Sequence, residues 1–221
     1  MASPDLALAV DIGGTKVACG IVGDDGTLLT RSQEPTDHTS AERLYQQVLT
    51  LAQNVRADAP GPCVVCGVGS GGPARDHHRL LSPLNIPVWR DFPLGQRLAT
   101  DLCLPVFVDN DAKALALAEG WQGAAVGARN YIAMVVSTGV GGGIVLNGQL
   151  LEGGDGNAGH IGHVFVEPDG HADANRVRGL LEGSASGTGI AGATGRPAAE
   201  ADVAMRRQVG IWVGPVSYTH L

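Results

Sequence analysis

An α/β fold is predicted for this chain, and three observations predict it. Short apolar runs bounded by Gly, Asp and Pro recur along it, as buried strands do. Between two of them, Leu44, Val48, Leu51 and Val55 repeat at helical spacing. Two strand–glycine turn–strand stretches stand in opposite halves, Asp11-Ile12-Gly13-Gly14-Thr15-Lys16 and Ser137-Thr138-Gly139-Val140-Gly141-Gly142-Gly143. Glycines there let backbone approach a ligand with no Cβ in the way. N–H groups turned inward make an anion cradle, to which the Ser137 and Thr138 hydroxyls add donors. The two bends read as the jaws of a phosphate clamp.

The elements follow in order. Residues 6–34 form a three-stranded meander. Leu6–Ile12 enters the Gly/Thr turn, Val17–Val22 leaves it, and Asp24-Asp25-Gly26 is a hairpin signal before Thr27–Glu34. Thr39-Ser40-Ala41-Glu42 reads as a capping box opening the first helix, which stops before Pro60-Gly61-Pro62. Cys63–Val68 is a short buried strand, giving an opening of β-β-β-α-β. Gly67-Val68-Gly69-Ser70-Gly71-Gly72 has GxGxxG spacing, but Pro73 and His77-His78 beyond it read as solvated loop. A dinucleotide fingerprint must open a helix, so that reading is rejected. Ser82–Trp89 is irregular but ordered, Phe92–Leu102 a short helix, Pro105–Val108 a strand and Ala112–Trp121 a helix. Tyr131–Ser137 and Ile144–Leu146 flank the second glycine turn. The stretch 179–194 starts as helix at Leu180, and Glu200–Trp212 is helical. Pro215–Leu221 continues no pattern and reads as a non-native tail. The expected division is 1–109, 110–214 and that tail.

Composition excludes several classes. Hydrophobic residues make up 44% and charged residues 17%, enough for a sizeable core. The net charge of −7, with 3 Trp, 3 Tyr and 3 Phe, lacks both the basic field and the stacking platforms of a nucleic-acid binder. No secretory signal or membrane span is expected, which reads as a cytoplasmic protein. Cys63 and Cys66 form a CxxC on a strand, where residues three apart face opposite sides. They read as small buried apolar residues and not as a metal or redox pair.

One strand empties into Asp109-Asn110-Asp111. A polar residue there is ordinarily a helix N-cap. Only one can be the cap, and three polar groups at a strand's carboxyl end suit a site in an α/β sheet.

Together these motifs resemble the ROK family (repressors, open reading frames, kinases) of bacterial sugar kinases. DIGGTK at 11–16 is similar to its first phosphate loop and STGVGGG at 137–143 to its second. DNDAK at 109–113 stands where the family keeps an Asn-Asp pair. AGHIGH at 158–163, EPDG at 167–170 and ASGTGI at 185–190 are similar to its signature. The resemblance implies a ribonuclease H-like (actin-like ATPase) two-lobe fold whose second lobe is incomplete here, since family members run longer and this chain looks C-terminally truncated.

It also implies a reaction: ATP-dependent phosphorylation of a hexose at O6, with glucose first and N-acetylmannosamine or another hexosamine as the alternative. Phosphoryl transfer needs positioning, a metal on the phosphates and a carboxylate facing the attacking hydroxyl. Asp111 would be that carboxylate. Gly72, Asn85, Asn110, His160, His163 and Glu182 would contact the sugar. Asp11, Gly13, Gly14, Thr15, Lys16, Ser137, Thr138, Gly139, Gly141 and Gly142 would hold ATP with Mg2+. Such proteins are commonly homodimers. A non-catalytic sugar-binding fragment is a second class. A family transcription regulator is a third, disfavoured because ten residues before Asp11 leave no room for a helix-turn-helix.

Two departures bear on the site. The family's Cys-x-Cys-Gly-x-x-Gly-Cys zinc loop is replaced by residues 173–180, without its three cysteines, so no zinc is expected. His160 stands where many glucokinases of the family carry Glu; His occurs there in other members, N-acetylmannosamine kinases among them, so the resemblance leaves the sugar open.

Overall fold

A computed structural model describes residues 5–173 and 176–218. The chain divides into two compact units, Met1–Ala114 with Glu152–Asn157, and Leu115–Leu151 with Ala158–Leu221.

The first unit is built on the meander. β1 (Leu6–Ile12), β2 (Lys16–Val22) and β3 (Leu28–Pro35) pair antiparallel. β4 (Cys63–Ser70) then lies parallel to β1, and β7 (Val106–Asn110) parallel to β4. The sheet order is β3-β2-β1-β4-β7. The small hairpin of β5 (Ala74–Arg75) and β6 (Leu80–Leu81) follows β4. Leu6, Leu8, Val10 and Ile12 alternate into the core, as the period of two demands. α1 (Ala41–Ala57) lies on β1–β3 through Leu44, Tyr45, Val48, Leu51 and Val55, and α2 (Leu94–Leu102) on β7. Each such side chain, fully buried, contributes about 1.5–3 kcal/mol. Trp89 and Ile86 close the core from the irregular segment expected at 82–89, with Trp89 stacked on Phe92 at 4.7 Å. Cys63 and Cys66 are free and buried in this core.

The cap of α1 differs from expectation. Ser40, not Thr39, is the N-cap, its hydroxyl accepting from the Arg43 amide. Glu42 is therefore one position early for the reciprocal bond and instead takes both nitrogens of Arg97, whose guanidinium lies 3.7 Å over the Tyr45 ring.

The second unit follows from α3 (Asp111–Gln122), which begins in the first. Its sheet is β8 (Tyr131–Val136), β9 (Val140–Leu146) and β10 (Gln149–Leu150), all antiparallel. A short 3-10 turn, Ile161–His163, packs on β9, followed by α4 (Leu181–Ala185), α5 (Gly187–Thr194) and α6 (Val203–Tyr218). Its buried core is small: Val140, Ile161, Leu181 and Ala185, with Ile132, Met134, Val166, Val209, Trp212 and Val213 against them. Helix α6 runs on through Tyr218, so 215–218 do continue a pattern; residues 219–221 of the expected tail lie outside the described residues. No described helix is long and apolar enough to cross a membrane.

Candidate active site

In the first unit, the parallel strands β1, β4 and β7 end together: Asp11 is in register with Gly69, and Gly69 with Asp109. Polar residues gather at that end, where open α/β sheets bind ligands. Asn110 closes β7, and its side-chain oxygen accepts the Ala112 amide at 3.0 Å, capping α3. Asp111, the first helical residue, is thus not needed as the cap and is exposed. Among the described residues, its carboxylate accepts only the neighbouring Ala112 amide, at 2.8 Å. The cap duty falls on buried Asn110, which was expected to hold a sugar hydroxyl; its side-chain nitrogen is what remains for that role.

The first glycine bend lies alongside. Gly13 N–H donates to the Lys16 carbonyl at 2.9 Å. The Gly13 carbonyl accepts the Thr36 hydroxyl at 2.7 Å, and His38 Nε2 lies 2.7 Å from the Gly14 carbonyl. Gly14 has no room for a side chain: a Cβ there would sit 2.6 Å from Asn85 Cβ. The bend and the Asn85 segment are therefore in contact. The Asn85 amide makes no hydrogen bond to another described residue. Gly72 joins the same region, its carbonyl accepting the Leu84 amide at 3.1 Å. Thr15 and Lys16 are exposed. Asp11 keeps solvent access but is hemmed in by protein atoms. Burial, then the charge of Asp111, pushes its carboxyl up, while Lys16 and Arg31 pull it down. Asp11 and Asp111 thus stand within electrostatic reach of one another, Asp11 partly desolvated.

In the second unit, the glycine turn is tighter than expected. Only Ser137, Thr138 and Gly139 form it, with Ser137 N–H donating to the Gly139 carbonyl at 2.9 Å. The hydroxyls of Ser137 and Thr138 are exposed and make no hydrogen bond to another described residue. Gly141 and Gly142 lie within β9 and not in the turn. The bare Cα of Gly142 admits Ile161, whose Cδ1 stands 2.5 Å from where a Cβ would be. Packing against Ile161 thus requires a glycine here by itself, whatever its backbone meets. The Gly139 position is closed by Glu182, whose Oε2 accepts the Val140 amide at 2.8 Å. His160 precedes the 3-10 turn and His163 is its last residue, with their rings 6.0 Å apart.

Ligand atoms of His163, Asp173 and Glu182 lie within 4.8 Å of one another. This is the region of the missing zinc loop, whose Ala174 and Asn175 lie outside the described residues. Two of the three side chains are engaged elsewhere: Glu182 with Val140, and Asp173 Oδ1 with the Val177 amide at 2.8 Å. One imidazole and two such carboxylates do not fit a closed four-ligand zinc site.

Two residues missed in the sequence gather on Asp109. His78, expected in a solvated loop, is buried, with Nε2 3.4 Å from Asp109 Oδ1. Lys113 is completely buried, its ammonium on Asp109, Glu152 and the Gly156 carbonyl. Both partners from 152–156 are about 40 residues downstream, beyond the reach of any local pattern.

The mixed sheet of order β3-β2-β1-β4-β7, with a glycine bend after β1 and an acid after β7, places the chain in the actin-like ATPase fold. The ROK family model matches residues 7–208, and the chain belongs to that family. A glucokinase of Halalkalibacterium halodurans is 39% identical over 190 residues, 83% of this chain and 57% of that protein. An N-acetylmannosamine kinase of Escherichia fergusonii is 39% identical over 206 residues, 92% of this chain and 69% of that one. The crystal structure of a ROK family glucokinase from Streptomyces griseus in complex with glucose and AMPPNP is 32% identical, with a TM-score of 0.76, covering 86% of this chain and 62% of that one. The chain thus spans little more than half the length of the first of these relatives.

Proposed function

We propose that the protein to which this chain belongs transfers the γ-phosphoryl group of ATP to the O6 hydroxyl of a hexose, glucose first. The observation that carries this reading is the end of β7: Asn110 and Asp111 share the Ala112 amide, and the exposed Asp111 carboxylate keeps lone pairs that a substrate hydroxyl can use. The Asp111 carboxylate accepts a hydrogen bond from the sugar hydroxyl and aims its oxygen at phosphorus. As the new O–P bond forms and the bond to ADP breaks, it takes the hydroxyl proton. A carboxylate is a weak base, so orientation precedes proton transfer. Asn85 and the Asn110 amide nitrogen meet sugar hydroxyls. Taken each by itself, the Gly13–Gly14 bend of the first unit and the Ser137 and Thr138 hydroxyls of the second are the candidate phosphate contacts. Asp11 would hold Mg2+, which supplies neutralisation of phosphate charge when bound.

N-acetylmannosamine is the second reading, favoured by His160 in place of a carboxylate and by the similarity to the Escherichia fergusonii enzyme. An ADP-release assay over glucose, N-acetylmannosamine and other hexoses, with Mg2+, tests both. It should be run on this chain and on a version carrying the remaining length of its relatives. Hexose-dependent ADP release with phosphate on O6 is expected. No hexose-dependent release in the longer version would refute the kinase reading.

A further inference from the structure

We propose that Lys113 is a positioning residue: its buried ammonium locks the segment Glu152–Asn157 onto the first unit and thereby fixes the Gly72–His78 loop beside the sugar site. This rests on the sugar-kinase reading.

A wholly buried lysine is rare unless paired. Here each of the three ammonium hydrogens has an acceptor: the Glu152 carboxylate, Asp109 Oδ1 at 3.2 Å and the Gly156 carbonyl at 3.0 Å. The same Asp109 oxygen takes the Asn110 amide at 2.7 Å and is approached by His78. The cluster thus touches the cap of α3 on one side and the Gly72–His78 loop on the other.

The captured segment is fitted to that loop at two further points. Gly156 has φ +83°, and a Cβ on it would fall 3.0 Å from the His78 ring, so its backbone lies directly on the imidazole. Asn157 then closes a two-way pair with the Ala74 backbone. Its Oδ1 accepts Ala74 N–H at 3.1 Å and its Nδ2 donates to the Ala74 carbonyl at 2.8 Å. Ala74 is two residues from Gly72, whose carbonyl holds the Leu84 amide next to Asn85. Among the described residues, the Lys113 ammonium bonds none of the candidate sugar ligands; it reaches them through this chain of bonds. The segment departs from β10 and has no strand or helix of its own, so side-chain bonds must hold it.

Three variants test this by amide hydrogen exchange in this chain and by steady-state kinetics in the active, longer protein. Lys113→Met should speed exchange of the Gly72–His78 and Glu152–Asn157 amides. It should raise the sugar KM on the order of tenfold, because a displacement of about 1 Å at a binding group has effects of this size or larger, with kcat held within about twofold. Should Lys113→Met fail to fold, Glu152→Gln, at a half-exposed position, reports the same lock. Asn157→Ala, which leaves all the charges in place, should loosen Gly72–His78 alone. Unchanged exchange at Ala74 in Glu152→Gln, or a loss of kcat at constant KM in Lys113→Met, overturns the proposal. Asp111→Asn run alongside separates the two levels. If it retains turnover, the kinase mechanism fails; if it is inactive while Lys113→Met keeps the parent's KM, only the lock fails.

Discussion

Gly13 and Gly14 are neighbours of identical type, yet the structure assigns them opposite tolerance for alanine. Neither has positive φ, so backbone strain does not separate them. A Cβ on Gly13 meets nothing closer than the Lys16 carbonyl oxygen at 3.4 Å, an ordinary contact. A Cβ on Gly14 would stand 2.6 Å from Asn85 Cβ and 2.8 Å from the Asn85 carbonyl oxygen. Restoring 3.4 Å requires the Asn85 backbone to retreat by about 0.8 Å, since the obstruction is not a flexible side-chain end. Overpacking of this kind costs about 1–3 kcal/mol. For a unit of this size that is a loss of roughly 3–10 °C in Tm. Gly13→Ala should be neutral or gain up to about 1 kcal/mol from the reduced freedom of the unfolded chain.

The functional consequence follows the same displacement. If Asn85 meets the sugar, a shift near 0.8 Å should weaken glucose or N-acetylmannosamine binding by about tenfold or more, while Gly13→Ala leaves it unaltered. Differential scanning calorimetry and isothermal titration of the two variants read both effects. If Gly14→Ala matches Gly13→Ala in Tm and in sugar affinity, the contact between the bend and the Asn85 segment is not as described.

Other predictions concern charge, packing and thiols. Asp11 carries a raised carboxyl pKa in the folded state, so its ionised form costs stability at neutral pH, and that cost disappears as pH falls through the folded value. Asp11→Asn should therefore raise Tm at neutrality by a margin that closes towards about pH 4; a margin independent of pH would contradict this. Gly159 has φ +97°, and its Cβ would fall 2.1 Å from the Gly142 carbonyl oxygen. Gly159→Ala should cost about 2–4 kcal/mol and melt the thin core of the second unit, seen as early loss of exchange protection in β9. Cys103 is exposed, while Cys19, Cys63 and Cys66 are buried, with burial pushing the Cys19 and Cys66 thiols up to about 12. A maleimide should label Cys103 in the native chain and reach Cys66 only in denaturant; native labelling of Cys66 would be the contrary result.

Much of the first unit was legible because local pattern and final packing agree there. β1 alternates, α1 repeats at helical spacing, and the turns between strands carry Gly and Asp. The end of β7 was legible as a strand-to-helix boundary, where Asn110 caps α3. What escaped notice was decided by distant partners. His78 reads as polar loop until Asp109 and Gly156 enclose it. Lys113 reads as an ordinary helical lysine until Glu152 and Gly156 arrive from 40 residues away. Gly142 looks like part of a flexible turn, but its vacancy is filled by Ile161 while its backbone pairs in β9. The capping box failed by one residue because Ser40, and not Thr39, caps α1, which leaves Glu42 to pair with Arg97.

The Asp111 carboxylate is the centre of this account. Asp111→Asn keeps the shape and the neighbouring Asn110 cap while removing the charge that would receive the hydroxyl proton. In the longer, active protein, sugar titration and ADP release measured together should show glucose bound within about threefold of the parent and turnover reduced by at least about a hundredfold. Near-parental turnover in that variant would contradict the account.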